Sequence, residues 1–243
     1  MAVLNASSFN RVEVTLSDGT SFTGVRGATT GTSTGAIGTS FNSVVQIIKD
    51  AGRGAGTFRV RRGFLTFDTS GISGTVSSAT LSLTVSHNNA DLPKMAVVRG
   101  TADGSSTSDF DAITGFVNAS TMDGNVTDFV DGTNATDLSS TSQNTNVTIT
   151  LNSTARGLME SQDDLYIVLV SYEYDYLRVE PSVNGFFEVG LYGPSISTTA
   201  YKPHIDYVEV VSGYSHHVNG IDSSNIGEIN TIASANVELF NGV

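Results

Sequence analysis

The chain has 243 residues, a length that suits one large β domain, and it contains no cysteine, which excludes a disulfide framework, a cysteine-ligated zinc site and a thiol nucleophile. Its 12 basic residues against 24 acidic ones give a formal charge of −12, which argues against nucleic acid as a partner because phosphate recognition needs a basic face. The first residues lack the pattern of a secretory signal and no apolar run reaches the roughly 18 residues of a membrane span, so we expect neither feature.

The N-terminal part predicts a hairpin followed by a loose arm. Apolar residues alternate in "RVEVTLSDGTSFTGV", residues 11 to 25, and Asp18-Gly19 supplies a turn between two strands. The next stretch, "RGATTGTSTGAIGTS", is small and polar, as in a long loop or arm. We therefore expect residues 1–42 to form an N-terminal hairpin and loose arm.

Residues 43–211 predict many short strands with one short helix. Strands are indicated by "SVVQIIKD", by the segment around Gly63, which is predicted to mark a bulge, and by "VSSATLSLTVS", in which Ala79 to Val85 alternate cleanly. The region from 100 to 144 is polar and acidic with isolated Phe and Ile anchors, as in a long loop. Further strands, and a helix at "STARGLMESQ", follow it. This order predicts an all-β chain, an antiparallel β-sandwich of jelly-roll type.

The segment "RRGFLTFDTSGISGTVSSATLSLTV", residues 61 to 85, resembles the signature of DNRLRE-type domains, relatives of the disaggregatase and carbohydrate-binding modules. "VTITLNSTARGL" and "KPHIDYVEV" resemble later segments of that family, so the resemblance covers residues 57 to 210. It implies a jelly roll and a link to carbohydrate binding. The family's tryptophan before the helix has no counterpart, because this chain has no tryptophan.

The segment "SYEYDY" predicts a candidate glycan-contacting face. On a strand, Tyr172, Tyr174 and Tyr176 share one face and Glu173 and Asp175 the other. Tyrosine rings stack on sugar rings, and carboxylates accept hydrogen bonds from sugar hydroxyls. The alternative is that the tyrosines cover the sandwich or pack in a subunit interface.

Acidic pairs in the polar loop are weak candidates for calcium, which takes six to eight oxygen ligands. They are Asp109 with Asp111, and Asp123, Asp128 and Asp131. They do not match a calcium-loop motif, and aspartate in such loops is ordinarily a turn former. We expect no cofactor and no metal.

Two other groups favour structural interpretations. The basic cluster of Arg59, Arg61 and Arg62 suits a solvated strand face, with pairing to an acidic neighbouring subunit as the alternative. His216 and His217 point in opposite directions on a strand and suit a surface linker rather than a metal site.

Residues 212–243 predict a C-terminal docking extension, because the chain nearly repeats itself there after eleven positions. The repeat places apolar residues on one side of each unit, with Asn-Gly or Asn-Thr to reverse the chain. These residues are Val218, Ile221, Ile226, Ile229, Ile232, Val237, Phe240 and Val243. The tail either docks on a partner or another copy, or packs back on its own sandwich. Its pattern resembles C-terminal segments of tailed-phage virion proteins.

These features together predict a non-enzymatic phage virion component, a head decoration, fibre or tail accessory on the outer surface of the particle. Its partners would be other virion proteins and copies of itself, with no nucleic acid and no membrane. The alternative is an extracellular glycan-binding adhesion module that contacts host polysaccharide. A third hypothesis is a polysaccharide-cleaving enzyme that uses acids between residues 100 and 131.

Overall fold

A computed structural model describes residues 1–16, 20–38, 43–50, 56–89 and 94–210, together with the backbone of 228–229 and 232–233. The strands are β1 (Ala2–Asn5), β2 (Ser8–Leu16), β3 (Ser33–Ala36), β4 (Ser43–Asp50), β5 (Thr57–Asp68), β6 (Thr75–Asn89), β7 (Lys94–Arg99), β8 (Thr136–Asp137), β9 (Asn146–Thr150), β10 (Asp164–Ser171), β11 (Gly185–Leu191), β12 (His204–Val210), β13 (Glu228–Ile229) and β14 (Ile232–Ala233). The helices are α1 (Phe22–Arg26) and α2 (Ser153–Ser161). Single 3-10 turns span Thr107–Asp111 and Thr199–Tyr201, and a π-helical turn spans Tyr172–Tyr176.

The strands form a curled antiparallel sheet in the order β1-β12-β6-β11-β4-β5-β10-β7-β8. Three strands lie off this path. Strand β2 also pairs with β5, β3 pairs with β2, and β9 pairs with β6. Strand β6 pairs with β12 in its first half and with β11 at its end, so it carries the chain from one side of the curl to the other. The protein is therefore an all-β, antiparallel sandwich of jelly-roll type, as predicted.

Strand β6 and helix α2 form where the sequence predicts them. Ala79, Leu81, Leu83 and Val85 are fully or almost fully buried, so the alternating pattern marks the inner face of β6. Helix α2 begins after Asn152, whose side chain accepts a hydrogen bond from the Ala155 backbone N–H. None of the helices among the residues described is long and apolar enough to cross a membrane.

The N-terminal residues belong to the sandwich, so the predicted boundary at residue 42 is wrong. Strand β2 pairs with β5 along its whole length, and β1 pairs with β12. The second strand of the predicted hairpin is instead helix α1, because Phe22 and Val25 lie one helical turn apart and are both buried. Part of the predicted loose arm forms β3, which pairs with β2.

Gly63 does not mark a bulge. The pairing of β5 with β2 continues through Gly63 without a shift of register, and the pairing with β10 reaches Gly63 in the same register. A side chain at this position would overlap Val44, which packs directly against the Gly63 backbone. Glycine is therefore required here by the close approach of β4.

The polar region after β7 covers one face of the sheet. Its isolated apolar residues are the anchors, since Phe110, Ile113, Met122 and Phe129 are buried in the main hydrophobic cluster. The remaining residues form turns held by side-chain hydrogen bonds, such as the capping box between Ser106 and Asp109.

Candidate functional site

The three predicted tyrosines do not form a flat row. Ser171 ends β10, and its side chain accepts a hydrogen bond from the Tyr174 N–H, so the following residues wind into a π-helical turn. Tyr172 and Tyr176 stack with ring centroids 5.6 Å apart, and Tyr174 packs on Phe187 at 4.7 Å. Tyr176 is buried. The tyrosines therefore cover the sandwich, which is the alternative to the predicted glycan face.

Asp175 is fully buried and cannot meet a ligand from solvent. Its carboxylate accepts hydrogen bonds from the guanidinium of Arg62 at 2.7 and 3.0 Å and from that of Arg26 at 3.2 Å. Burial opposes the charge of Asp175, but the attraction and hydrogen bonds of Arg62 and Arg26 outweigh burial, and its pKa is lowered. This ion trio joins α1, β5 and the π-helical turn within the core.

The two arginines of the trio also hold the covering layer. Arg62 donates to the Phe110 carbonyl oxygen and lies 4.1 Å from the centre of the Phe110 ring. Arg26 donates to the Ala119 carbonyl oxygen. The layer is thereby bonded to two buried cations through main-chain oxygens.

The predicted basic cluster is not a solvated face. Arg62 belongs to the ion trio, and Arg61 forms an ion pair with Glu13 on β2. Arg59 lies 3.5 Å from the same Glu13 carboxylate. All three arginines therefore have acidic partners within the chain.

Glu173 is the remaining acid of the tyrosine segment. It is partly buried, and burial raises the pKa of its carboxyl group, with a smaller opposing attraction from Lys94. Its Oε2 has no hydrogen-bond partner among the residues described. The neighbouring Lys94 ammonium lies 5.9 Å from the centre of the Tyr172 ring.

The weak calcium candidates do not converge on one point. Asp128 accepts hydrogen bonds from the Tyr176 hydroxyl at 2.7 Å and from the Asn134 side chain at 2.9 Å. Asp123 also interacts with Tyr176, whereas Asp131 lines a different cavity beside Thr148. Asp109 caps its own turn. Within the described ranges, no three His, Cys, Asp or Glu side chains are placed to hold one ion.

A serine, a histidine and a glutamate meet where β4, β6 and β11 adjoin, and sequence analysis did not bring them together. The Ser43 hydroxyl donates to Glu188 at 2.6 Å and lies 3.4 Å from His87 Nε2. The other Glu188 oxygen lies 3.6 Å from the same nitrogen. A hydrolytic triad needs the serine and the acid on opposite ring nitrogens, so this arrangement does not match one.

The Glu188 carboxylate is strongly stabilised in this cluster. The interaction with His87 lowers the pKa of Glu188 most. Burial raises this pKa, but hydrogen bonds from Ser43 and Gln46 lower it further, and the result is a pKa of about 2. Gln46 donates to the oxygen that also accepts from Ser43. We interpret the cluster as a structural junction of three strands.

An open groove of about 610 Å³ lies on the face that the polar layer covers only in part. Its floor includes Ser8, Thr66 and Tyr166, which are direct neighbours across β2, β5 and β10. The segment from Thr101 to Asp109 forms its wall. A second cavity of about 200 Å³ adjoins it and shares Thr101, Asp164 and Tyr166.

Two hydroxyls in the groove floor are unusual. Thr66 is only 6% exposed, and neither its Oγ1 nor the Ser8 Oγ has a hydrogen-bond partner among the described residues. A buried polar group without a partner costs about 1 to 3 kcal/mol. Because the two residues are direct cross-strand neighbours, the cost falls on one small area of the groove.

Sequence analysis missed these floor residues. Ser8, Thr66 and Tyr166 are far apart in the chain and meet only through strand register. One local signal was present at the start of β10. There Asp164 and Tyr166 alternate with the buried Leu165 and Ile167. That alternation places a tyrosine and a carboxylate on the face opposite those two residues.

The predicted docking residues of the tail lie outside the described residues, apart from the backbone of Ile229 and Ile232. These two pair with each other across the antiparallel strands β13 and β14. His216 and His217 also lie outside the described residues.

No family model matches the chain, and no curated protein matches it.

Proposed function

We propose that this chain is a non-enzymatic structural protein of a tailed-phage virion, a head decoration, fibre or tail accessory on the outer surface. The sandwich is displayed, and the tail after β12 docks on capsid or tail proteins or on further copies of the chain. The resemblances of residues 61 to 85 and of the tail support this proposal.

The observation that carries the docking proposal is an apolar patch where the tail begins. Val208 and Val210 share one face of β12 and are 38% and 55% exposed. Val3 lies on the same face of the neighbouring strand β1 and is 57% exposed. The patch lies on β12, which precedes the apolar repeat in the sequence, and burying apolar surface against a partner is favourable.

The docking proposal is tested with charges placed in the repeat. The double variant Ile226→Asp with Val237→Asp alters equivalent apolar positions of the two units, and we expect it to abolish binding to purified particles that lack the protein. The control, Ser223→Asp with Ser234→Asp, adds the same charge at equivalent polar positions and is expected to bind. Equal binding by both variants would contradict the proposal.

A glycan-binding adhesion function is the second candidate. The tyrosine turn no longer carries it, because Asp175 and Tyr176 are buried. The groove lined by Ser8, Thr66 and Tyr166 favours it instead. The two functions are compatible, since a displayed protein can hold a particle near host polysaccharide.

A further inference from the structure

The groove presents polar groups for which the described residues provide no partner. Ser8, Thr66 and Tyr166 form one row across three strands, so their side chains share a face of the sheet. The hydroxyls of Ser8 and Thr66 are buried without a hydrogen-bond partner in the described chain, and both residues line the groove. Buried hydroxyls are satisfied in nearly all proteins, so this pair has hydrogen-bonding capacity that a ligand or a bound water would fill.

The rim of the groove supplies acceptors and carries negative charge. Asp103, Asp109 and Asp164 line it, and neither lysine nor arginine occurs among its described lining residues. The chain itself carries a formal charge of −12. An anionic ligand such as a phosphate or a uronic acid would be repelled, whereas a neutral ligand with many hydroxyls would donate to these carboxylates.

The wall of the groove is held in place before any ligand binds. The Asn10 side chain donates to the Asp103 carbonyl oxygen at 2.9 Å, and the Thr34 hydroxyl donates to that of Gly104 at 2.8 Å. The Gly31 N–H donates to the Thr107 carbonyl oxygen at 2.7 Å. A wall bonded to β2, β3 and their connection reduces the ordering cost of binding.

Tyr166 gives the groove an aromatic side chain. It is partly buried, its hydroxyl donates to Asp164 at 3.3 Å, and it lines both cavities. A ring that is partly exposed beside hydrogen-bonding groups suits the apolar face of a sugar ring, which also carries hydroxyls at its edge.

We propose that this groove binds a neutral saccharide, with Ser8 and Thr66 hydrogen-bonding its hydroxyls, Tyr166 stacking on a ring and the rim aspartates accepting further hydroxyl protons. The assignment rests on the glycan-binding function proposed above and names its site. The proposed site is not the tyrosine turn, because Tyr166 lies near the start of β10 and the turn follows its end.

A calcium ion fits the groove less well. Asp103 and Asp109 each use one carboxylate oxygen to cap a backbone N–H of their own turn. Asp164 accepts from Tyr166, and the described residues contain no group of three ligands around one point. The unpartnered hydroxyls lie in the floor, whereas these carboxylates lie at the rim.

The experiment measures binding of neutral gluco-, manno-, galacto- and N-acetylglucosamine oligosaccharides to the full-length protein by saturation-transfer NMR and calorimetry. Oligogalacturonate and calcium chloride alone serve as further probes. Thr66→Val removes only the hydroxyl and Tyr166→Phe only the phenol oxygen, while Tyr166→Ala removes the ring. The controls are Thr148→Val, which lies in another cavity, and Tyr172→Ala, which lies in the tyrosine turn.

We expect at least one neutral oligosaccharide to bind, and Thr66→Val to weaken it about threefold to tenfold, the effect of one net hydrogen bond. Tyr166→Ala should weaken it further, Tyr166→Phe should retain most of the binding, and both controls should bind as the wild type does. Thr66→Val should melt no lower than the wild type, because it removes a hydroxyl without a partner.

Three results would overturn the proposal in distinguishable ways. Loss of binding in Tyr172→Ala but not in Thr66→Val or Tyr166→Ala would refute the groove and leave the glycan-binding function standing. Binding of none of the neutral oligosaccharides would refute both. A rise in melting temperature with calcium alone that Thr66→Val abolishes would make the groove a cation site instead.

Discussion

The buried carboxylate of Asp175 connects segments that lie far apart in the sequence. It pairs with Arg26 of α1 and Arg62 of β5, and these arginines hold main-chain oxygens of the covering layer. Removing one partner of a buried ion pair leaves the other charge without compensation. We therefore expect Asp175→Asn to lower the free energy of unfolding by about 3 to 5 kcal/mol.

Urea unfolding at pH 7 measures this change. Asp206→Asn is the control, because Asp206 is partly exposed and lies 3.5 Å from His204 at the surface. Its loss should be below about 1 kcal/mol, the range of surface ion pairs. Similar losses in the two variants would show that the trio does not hold the layer.

Glu188 makes stability depend on pH in the acid range. Its pKa falls from 4.5 to about 2 on folding, so its ionised form favours the folded state. This contribution is fully present above pH 4.5 and disappears as the pH falls toward about 2. The stability difference between the wild type and Glu188→Gln should therefore shrink as the pH falls through that range.

Urea midpoints at pH 7, pH 4 and pH 2.5 test this dependence. Glu180→Gln is the matched control, because Glu180 is about half exposed and pairs with Lys49 at the surface. A difference between wild type and Glu188→Gln that stays constant with pH would refute the role of the Glu188 charge.

At the scale of elements, the groove wall depends on one glycine. Gly104 has φ +74°, and a Cβ there would lie 2.5 Å from the Phe64 side chain. Gly124 has a similar φ of +76° but open space around it. Gly104→Ala should therefore destabilise the protein by at least about 1 kcal/mol more than Gly124→Ala, since only the first combines backbone strain with a clash.

Thermal unfolding of both variants measures the difference. Gly124→Ala reports the cost of the positive φ alone, so it serves as the control. Equal melting temperatures would mean that the wall moves freely away from Phe64, and the wall would then not be held in advance for a ligand.

Elements with regular apolar spacing were predictable from sequence. The alternation from Ala79 to Val85 predicts β6, and the helix after Asn152 also lies where expected. The prediction of a strand at the tyrosine segment was wrong for a physical reason. Its alternating polarity suits a strand, but the Ser171 cap and the ion trio hold it in a turn. The groove floor was not predictable, since Ser8 and Thr66 meet only through register.

At the scale of the molecule, the described hydrophobic core lies in the part of the chain that precedes the tail. All described buried members of the main hydrophobic cluster lie between Ala6 and Ile205, and β1 pairs with β12 at one end of the strand order. The exposed valines lie at the end of β12, which precedes the repeat in the sequence. The proposal therefore predicts that the sandwich folds without the tail, which would act as a docking segment.

The measurement that tests this claim most directly compares the full-length protein with a truncated chain that ends at Val211. Thermal unfolding and binding to purified particles lacking the protein are measured on both. We predict that the truncated chain unfolds cooperatively at a similar temperature and no longer binds particles. An unfolded truncated chain, or one that still binds, would contradict the account.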